Sequence, residues 1–346
     1  MLRRMFLAGS GAAAFAQTAM PQTSMPSVKL GIDLFSIRSS NYTPFEYLDY
    51  AAKQGAKVVH FSEIRFIGNL EESNLKKVRA HAEGLGIELE IGMRSICPSS
   101  KAFDAAQGTA EQQLERMFTA ANTVGAKIVR AFLGTSADRT GAMPIEGHIE
   151  NAAKVLRAVR AKAMDHNLKI AIENHAGDMQ GRELKMLIDE SGKDFVGACL
   201  DSGNPLWAIE DPHLTLEILA PYVLTSHIRD TAVWHVPEGA AVQWVRMGEG
   251  NIGIDDYVRK YAKLCPGKAL SLEIIVTQPR TFPYLEPRFW DGYRHTPAWE
   301  FGRFLALVER GTPRPAQPPV PKDRVAQQER EDLEASMIHT KRLLNL

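Results

Sequence analysis

The feature that most constrains this chain is a repeated alternation. Short apolar runs of strand length are each followed by a longer stretch with helical periodicity, and the pair recurs eight times. Apolar runs of four to eight residues bounded by turn signals predict buried strands, and apolar residues at i, i+3, i+4 and i+7 predict amphipathic helices. The predicted strands are 29–34, 58–62, 88–93, 128–132, 169–173, 196–201, 223–227 and 269–274. The predicted helices are 44–54, 69–85, 110–124, 145–166, 181–191, 211–220, 255–264 and 296–310. Thr43 is placed to cap a helix with Pro44 at its first position, and Gly86 and Gly125 follow helices where a C-terminal cap is wanted. Eight strand–helix pairs in about 280 residues is the count of an α/β protein with the (β/α)8 TIM barrel architecture. A doubly wound open sheet is the rival, but no Gly-rich phosphate turn follows the first strand.

The rest of the chain frames that barrel. Residues 1–26 read as a signal peptide and linker: Arg3-Arg4 precede the apolar stretch from Met5 to Ala16, and Ala14-Phe15-Ala16 is a small-x-small cleavage pattern ending at Ala16. The paired arginines suit the twin-arginine type, so an exported, periplasmic protein is expected; an ordinary Sec signal, also basic at its start, is the alternative. The apolar stretch is too short for a permanent membrane span. The barrel is expected over 27–311, followed over 312–346 by a Pro-rich linker and a C-terminal helix. The segment 311–322 holds five prolines, and 323–346 is charged and helix-prone, with Val325, Leu333, Met337, Leu343 and Leu344 available for one apolar face. That helix would pack under the barrel or against a second copy of the chain. Two segments interrupt the alternation, 231–251 with Trp234, His235 and Trp244, and 277–295, rich in Pro and aromatics; both are expected as loops over the barrel mouth.

Composition excludes some functions. Hydrophobic residues make up 45% of the 346 and charged residues 24%, which suits a globular chain with a sizeable core. Net charge is zero, from 41 basic and 41 acidic residues, without the basic footprint of a nucleic-acid binder. Cys97, Cys199 and Cys265 are too few and too far apart for a disulfide framework or a thiolate zinc site.

Four predicted strands end in groups that suit chemistry: Glu173, Asp201, His227 and Glu273. One carboxylate at a strand end is commonly a loop residue or a helix cap, and a lone histidine a satisfied core residue. Four such groups at the ends of consecutive strands would converge at one mouth, and an inward carboxylate there is costly unless paired, protonated or bound to metal. Three carboxylates and one imidazole form a hard donor set suited to a single divalent ion, with Mn²⁺ preferred and Mg²⁺ or Co²⁺ as alternatives.

The ordered set Glu173-Asn174-His175, Asp201-Ser202-Gly203-Asn204, His227-Ile228-Arg229-Asp230, Met247-Gly248-Glu249-Gly250-Asn251-Ile252-Gly253 and Leu272-Glu273 resembles the xylose isomerase-like TIM barrels, and within them the sugar phosphate isomerase/epimerase group with its ketose 3-epimerases and inosose dehydratases. The resemblance covers about residues 28–310. It implies that Glu173, Asp201, His227 and Glu273 are the metal ligands, that Glu173 and Glu273 double as acid and base, and that Glu63 belongs to the site. His175, Asn204, Arg229, His235 and Arg246 complete the candidate substrate-binding residues. A carbohydrate substrate is implied, with epimerisation through an enediolate. Elimination from the same intermediate is the alternative, as in a dehydratase or lyase acting on a keto-sugar, keto-glycoside or inosose. The pattern departs from the ketose epimerases at Asn204, where they carry His, and at Val233, where they carry Arg. A non-catalytic sugar-binding barrel would dispense with Glu173 or Glu273, and both are present. An endonuclease of the fourth AP-endonuclease type, which shares this fold, would need more His and Asp ligands and a basic face.

Overall fold

The computed structural model describes residues 28–315 and 318–346, so the signal-peptide reading of 1–26 lies outside the described residues. Eight parallel strands among the described residues form the barrel: β1 (Lys29–Asp33), β2 (Val58–Phe61), β3 (Glu88–Ser95), β4 (Ile128–Phe132), β5 (Lys169–Glu173), β6 (Val196–Asp201), β7 (Val223–His227) and, after an inserted hairpin, β10 (Ala269–Leu272). They pair in chain order, with β10 beside β1. The sheet closes between β7 and β10 through a parallel bridge of Ile228 with Leu272. There Ile228 N donates to Ser271 O at 2.8 Å and Glu273 N to Ile228 O at 3.1 Å. Strands buried on both faces read as continuous apolar runs, which is why the alternation is legible.

The wall helices form where the capping chemistry places them: α1 (Pro44–Lys53), α2 (Glu72–Leu85), α3 (Ala110–Val124), a short α4 (Ser136–Arg139), α5 (Ile145–Asp165), α6 (Gly181–Ser191), α7 (Pro212–Leu219) and α8 (Ile254–Leu264). Thr43 and Glu46 make a reciprocal capping box on α1, and Thr109 and Gln112 do the same on α3. Gly86 and Gly125 end α2 and α3 at φ of +66° and +84°, in the left-handed region.

Two expectations are corrected. The segments read as mouth loops form a three-stranded antiparallel sheet: β8 (Asp230–Val236), β9 (Gly239–Val245) and β11 (Arg280–Phe282), in the order β11-β9-β8. Ala232, Trp234, Ala241 and Val245 pack together on one side of it. The eighth barrel helix is also not the one expected. The helix over Ala298–Glu309 (α9) docks at the mouth, where Asn251 Nδ2 donates to its Leu307 carbonyl at 3.1 Å and its Arg303 Nε donates to Asp211 Oδ2 at 2.7 Å. The wall position between α8 and α1 is taken by the C-terminal helix α10 (Val325–Leu344), which touches α8, β10 and the turn after β1. Leu333 and Met337 of α10 are buried in the main core. Glu329 accepts from Ser39 N at 2.8 Å, Tyr50 donates to Glu334 Oε1 at 3.0 Å, and His339 Nε2 lies 2.8 Å from Asp255 Oδ1.

A buried carboxyl under the mouth gives a pH test of the fold. Glu210 Oε2 accepts from Gly181 N at 2.9 Å and from Thr215 Oγ1 at 2.5 Å. Burial pushes its carboxyl up to about 7 from 4.5. The folded chain therefore keeps a proton that the unfolded chain releases, so this group's favourable contribution is complete below pH 4.5 and is lost as pH rises through 7. Glu210→Gln removes that dependence. Denaturant titrations should show the variant gaining on the parent by up to about 3 kcal/mol between pH 4.5 and pH 8; a constant difference would contradict the buried neutral carboxyl.

Candidate functional site

Polar residues line the inside of the barrel under its mouth. The strand register sets Asp33 beside His60, His60 beside Glu90, Glu173 beside Cys199 and Asp201 beside His227. Strand side chains alternate, so these groups interrupt the apolar runs on the inward face.

The predicted quartet comes together at the mouth end of that layer. Glu173, Asp201, His227 and Glu273 are all buried, and one ligand-type atom from each lies within 4.8 Å of all the others. His227 Nδ1 faces Glu173 Oε2 at 3.0 Å and Glu273 Oε2 at 3.2 Å, yet makes no hydrogen bond. A buried ring nitrogen close to two carboxylates but not directed into a hydrogen bond with either fits a place for a cation. Glu173 is held from below by Arg130 Nε at 2.6 Å and from the side by Asn204 Nδ2 at 3.1 Å. Burial alone would raise the Glu173 carboxyl; Arg130, then His227, outweigh it and hold it well below the usual range. Asp201 Oδ1 accepts from Gly203 N and Asn204 N, each at 2.7 Å, and Asn174 brackets its backbone with two bonds of 2.9 Å. The turn after Asp201 is thus an anchor for the carboxylate.

Arg229 is the second guanidinium here, and it pairs with both Asp201 and Glu273. Its guanidinium carbon lies over Trp244, 4.4 Å from the ring centroid. Trp244 stacks on Trp207 at 4.2 Å and 9°, and Arg280 covers the other side at 4.6 Å from Trp207. Two cations therefore cap a pair of stacked indoles, an arrangement the ring quadrupoles favour. A Cβ on Gly203 would come within 2.5 Å of the Arg229 side chain, so glycine is required at that close approach. Asp230 has a different task. Its carboxyl accepts from Thr231 N at 2.7 Å, Gly248 N at 3.0 Å and Gly250 N at 2.8 Å, folding 247–253 back onto the start of β8. Asn251 completes the fold-back by bonding both backbone groups of Val233.

The other predicted residues divide. Asn204 and Arg229 touch the quartet as described. His175 stands at its edge, stacked on Phe132 at 3.9 Å, with Nδ1 2.8 Å from the Gly134 carbonyl. Burial brings its imidazole down to about 4, so it is neutral. Glu63, His235 and Arg246 are not brought to the quartet. Glu63 pairs with its near neighbour Arg65. His235 is exposed near the far end of β8. Arg246 donates from Nε to Asp332 of α10 at 2.7 Å, so the C-terminal helix has claimed its charge. Sequence reasoning passes over Asp33, His60 and Arg130, whose only signal is a polar residue inside an apolar strand run.

Residues 48–287 match the xylose isomerase-like TIM barrel family. The chain belongs to this family. Among curated proteins it is similar to a 3-oxo-isoapionate decarboxylase from Pectobacterium atrosepticum, 27% identical over 185 residues; the match covers 54% of this chain and 60% of the relative, less than two thirds of its length. Its fold is shared with a D-psicose 3-epimerase solved with D-fructose, at TM-score 0.60 and 16% identity over 92% of this chain and 99% of the other. It is also shared with a 3-keto-D-glucoside 4-epimerase from E. coli, at TM-score 0.54 and 13% identity over 78% and 98%. This member of the family has a buried His/Glu/Asp cluster whose donor set suits a divalent metal. Among its described residues no helix is long and apolar enough to cross a membrane.

Proposed function

We propose that this chain is a divalent-metal-dependent sugar isomerase or epimerase that works through an enediolate, with Glu173 and Glu273 transferring the proton. The observation that carries this reading is that both carboxylates face the same unbonded nitrogen, His227 Nδ1, at 3.0 and 3.2 Å, from strands three places apart round the barrel. Glu173, Asp201, His227 and Glu273 would hold the ion, Mn²⁺ in our reading and Mg²⁺ or Co²⁺ otherwise. Once bound, it would polarise a substrate carbonyl and ease enediolate formation. The residues themselves do the rest. One glutamate takes the proton from the carbon beside the carbonyl and the other returns it, on the same face or the opposite one. Arg130 and Asn204 keep Glu173 ionised and oriented. Arg229, held by Trp244, sets the direction of Glu273.

A second reading is elimination or decarboxylation on a keto-sugar or 3-oxo acid. The named activity of the Pectobacterium relative favours it. Loss of CO₂ from a 3-oxo acid and loss of a proton from a ketose both leave an enolate that the same site would stabilise.

The test is incubation of purified protein with free, oxidised and glycosidic sugars in D₂O. Deuterium is expected on the carbon next to the carbonyl, together with about one bound divalent ion per chain. Release of CO₂ or water without back-exchange would move the assignment to the second reading. Tight sugar binding with neither exchange nor product would make the barrel a binding protein.

A further inference from the structure

His227 has two ring nitrogens and two sets of neighbours. Nδ1 looks up at Glu173 and Glu273, while Nε2 looks down into the barrel and lies 2.9 Å from His60 Nδ1. Both histidines are fully buried. A neutral imidazole carries one proton, so the nitrogen that holds it decides whether His227 can serve as a ligand at all. For Nδ1 to offer a lone pair to a cation, the proton must be on Nε2. A buried N–H there needs an acceptor.

We propose that His60 is the positioning residue of the metal centre: its Nδ1 accepts the Nε2–H of His227 and so fixes the tautomer whose Nδ1 lone pair faces the carboxylates. This rests on the divalent-metal reading above. The distances favour that bond over one to either neighbouring carboxylate. Asp33 Oδ2 lies 3.8 Å and Glu90 Oε2 3.6 Å from His60 Nδ1, both too far for a hydrogen bond. Asp33 Oδ2 is 3.5 Å from His227 Nε2, longer than the contact with His60. Glu90 is engaged elsewhere, accepting from Thr225 Oγ1 at 2.6 Å. The rings cannot drift apart, because β2 seats His60 between Asp33 and Glu90 in register while β7 seats His227 beside Asp201. Outer partners of this kind orient a ligand and raise its basicity.

The experiment measures Co²⁺ affinity by chelator competition, and the absorption band of the bound ion, in the parent protein and in H60N, H60Q and H60L. The asparagine amide oxygen reaches the position of Nδ1; the longer glutamine amide reaches that of Nε2. H60N should keep affinity within a few-fold and leave the band in place. H60Q and H60L should bind about 10–100-fold more weakly with a shifted band. Thermal melts without metal identify any variant that fails to fold, and H60N against H60Q then carries the comparison between two amides. The inference is overturned if H60L binds like the parent, or if H60N is as weak as H60L. It is overturned also if the parent binds two Co²⁺ and H60L loses only one, since His60 would then be a ligand itself. A parent protein that binds no Co²⁺ would instead remove the metal reading beneath it.

Discussion

Glu273→Gln should abolish sugar epimerisation, lowering turnover by about 10²–10⁴-fold or more while the barrel stays folded. The fold should survive because the substitution is isosteric and leaves the closing bond, Glu273 N to Ile228 O, untouched. Arg229 keeps Asp201 as a partner, so no guanidinium is left buried alone. Glu173→Gln is a harsher change, since it leaves Arg130 without the carboxylate that now faces it at 2.6 Å. The pair gives a sharper signature than either variant. If the two glutamates serve opposite faces of one carbon, each variant should still wash deuterium into one epimer, a different epimer in each case, while neither interconverts the two. Circular dichroism, isotope exchange and turnover measured on the same samples check this. Unchanged epimerisation in Glu273→Gln would remove Glu273 from proton transfer; loss of all exchange in one variant, with both epimers still exchanging in the other, would point to a single-base mechanism.

That quartet is legible in the amino-acid sequence because carboxylates at the ends of apolar runs are expensive, and four polar groups on consecutive strands demand a common explanation. His60 is not, since one histidine within Val58–Phe61 looks the same whether it fills a core or supports a ligand; only its 2.9 Å contact with His227, across 167 residues of sequence, distinguishes them. Arg130 is hidden for the same reason. The small sheet is illegible on different grounds. Its register pairs β9 with β11, so that Val242 lies against Arg280 across a stretch containing α8 and β10, and the local pattern of 231–251 carries no trace of that distant partner. Glu63 is expected in the site by family position, and His235 and Arg246 as groups able to hold hydroxyls or assist a leaving group, yet their charges or locations are committed to Arg65, the exposed end of β8 and Asp332. The exchange of roles between α9 and α10 has a third cause. Both are amphipathic, and periodicity states that a helix has an apolar face without saying which surface will cover it.

Removing residues 312–346 should therefore cost the barrel its cooperative fold, although by sequence this tail is an appendage. α10 occupies the wall between α8 and α1 and covers the seam of β10 with β1. Leu333 and Met337 are fully buried and Leu344 nearly so. At about 1.5–3 kcal/mol for each large apolar side chain, their loss alone approaches the roughly 5–15 kcal/mol that typically separates folded from unfolded. Polar damage adds to it: Arg246 and Ser39 would lose Asp332 and Glu329, and Tyr50 would lose Glu334. The seam matters to the site because Glu273 follows β10 directly, and Ser36, in the turn that α10 covers, donates to Leu272 O and accepts from Ile274 N. Fraying there would release Glu273 first. A truncated chain should be insoluble, or soluble with no sharp thermal transition, and point changes at Leu333 and Met337 to Ala should each lower stability by about 2–5 kcal/mol. A truncated chain that melts within a few degrees of the parent would show that the eight strands and the remaining helices are a complete barrel, and that α10 serves the rim alone.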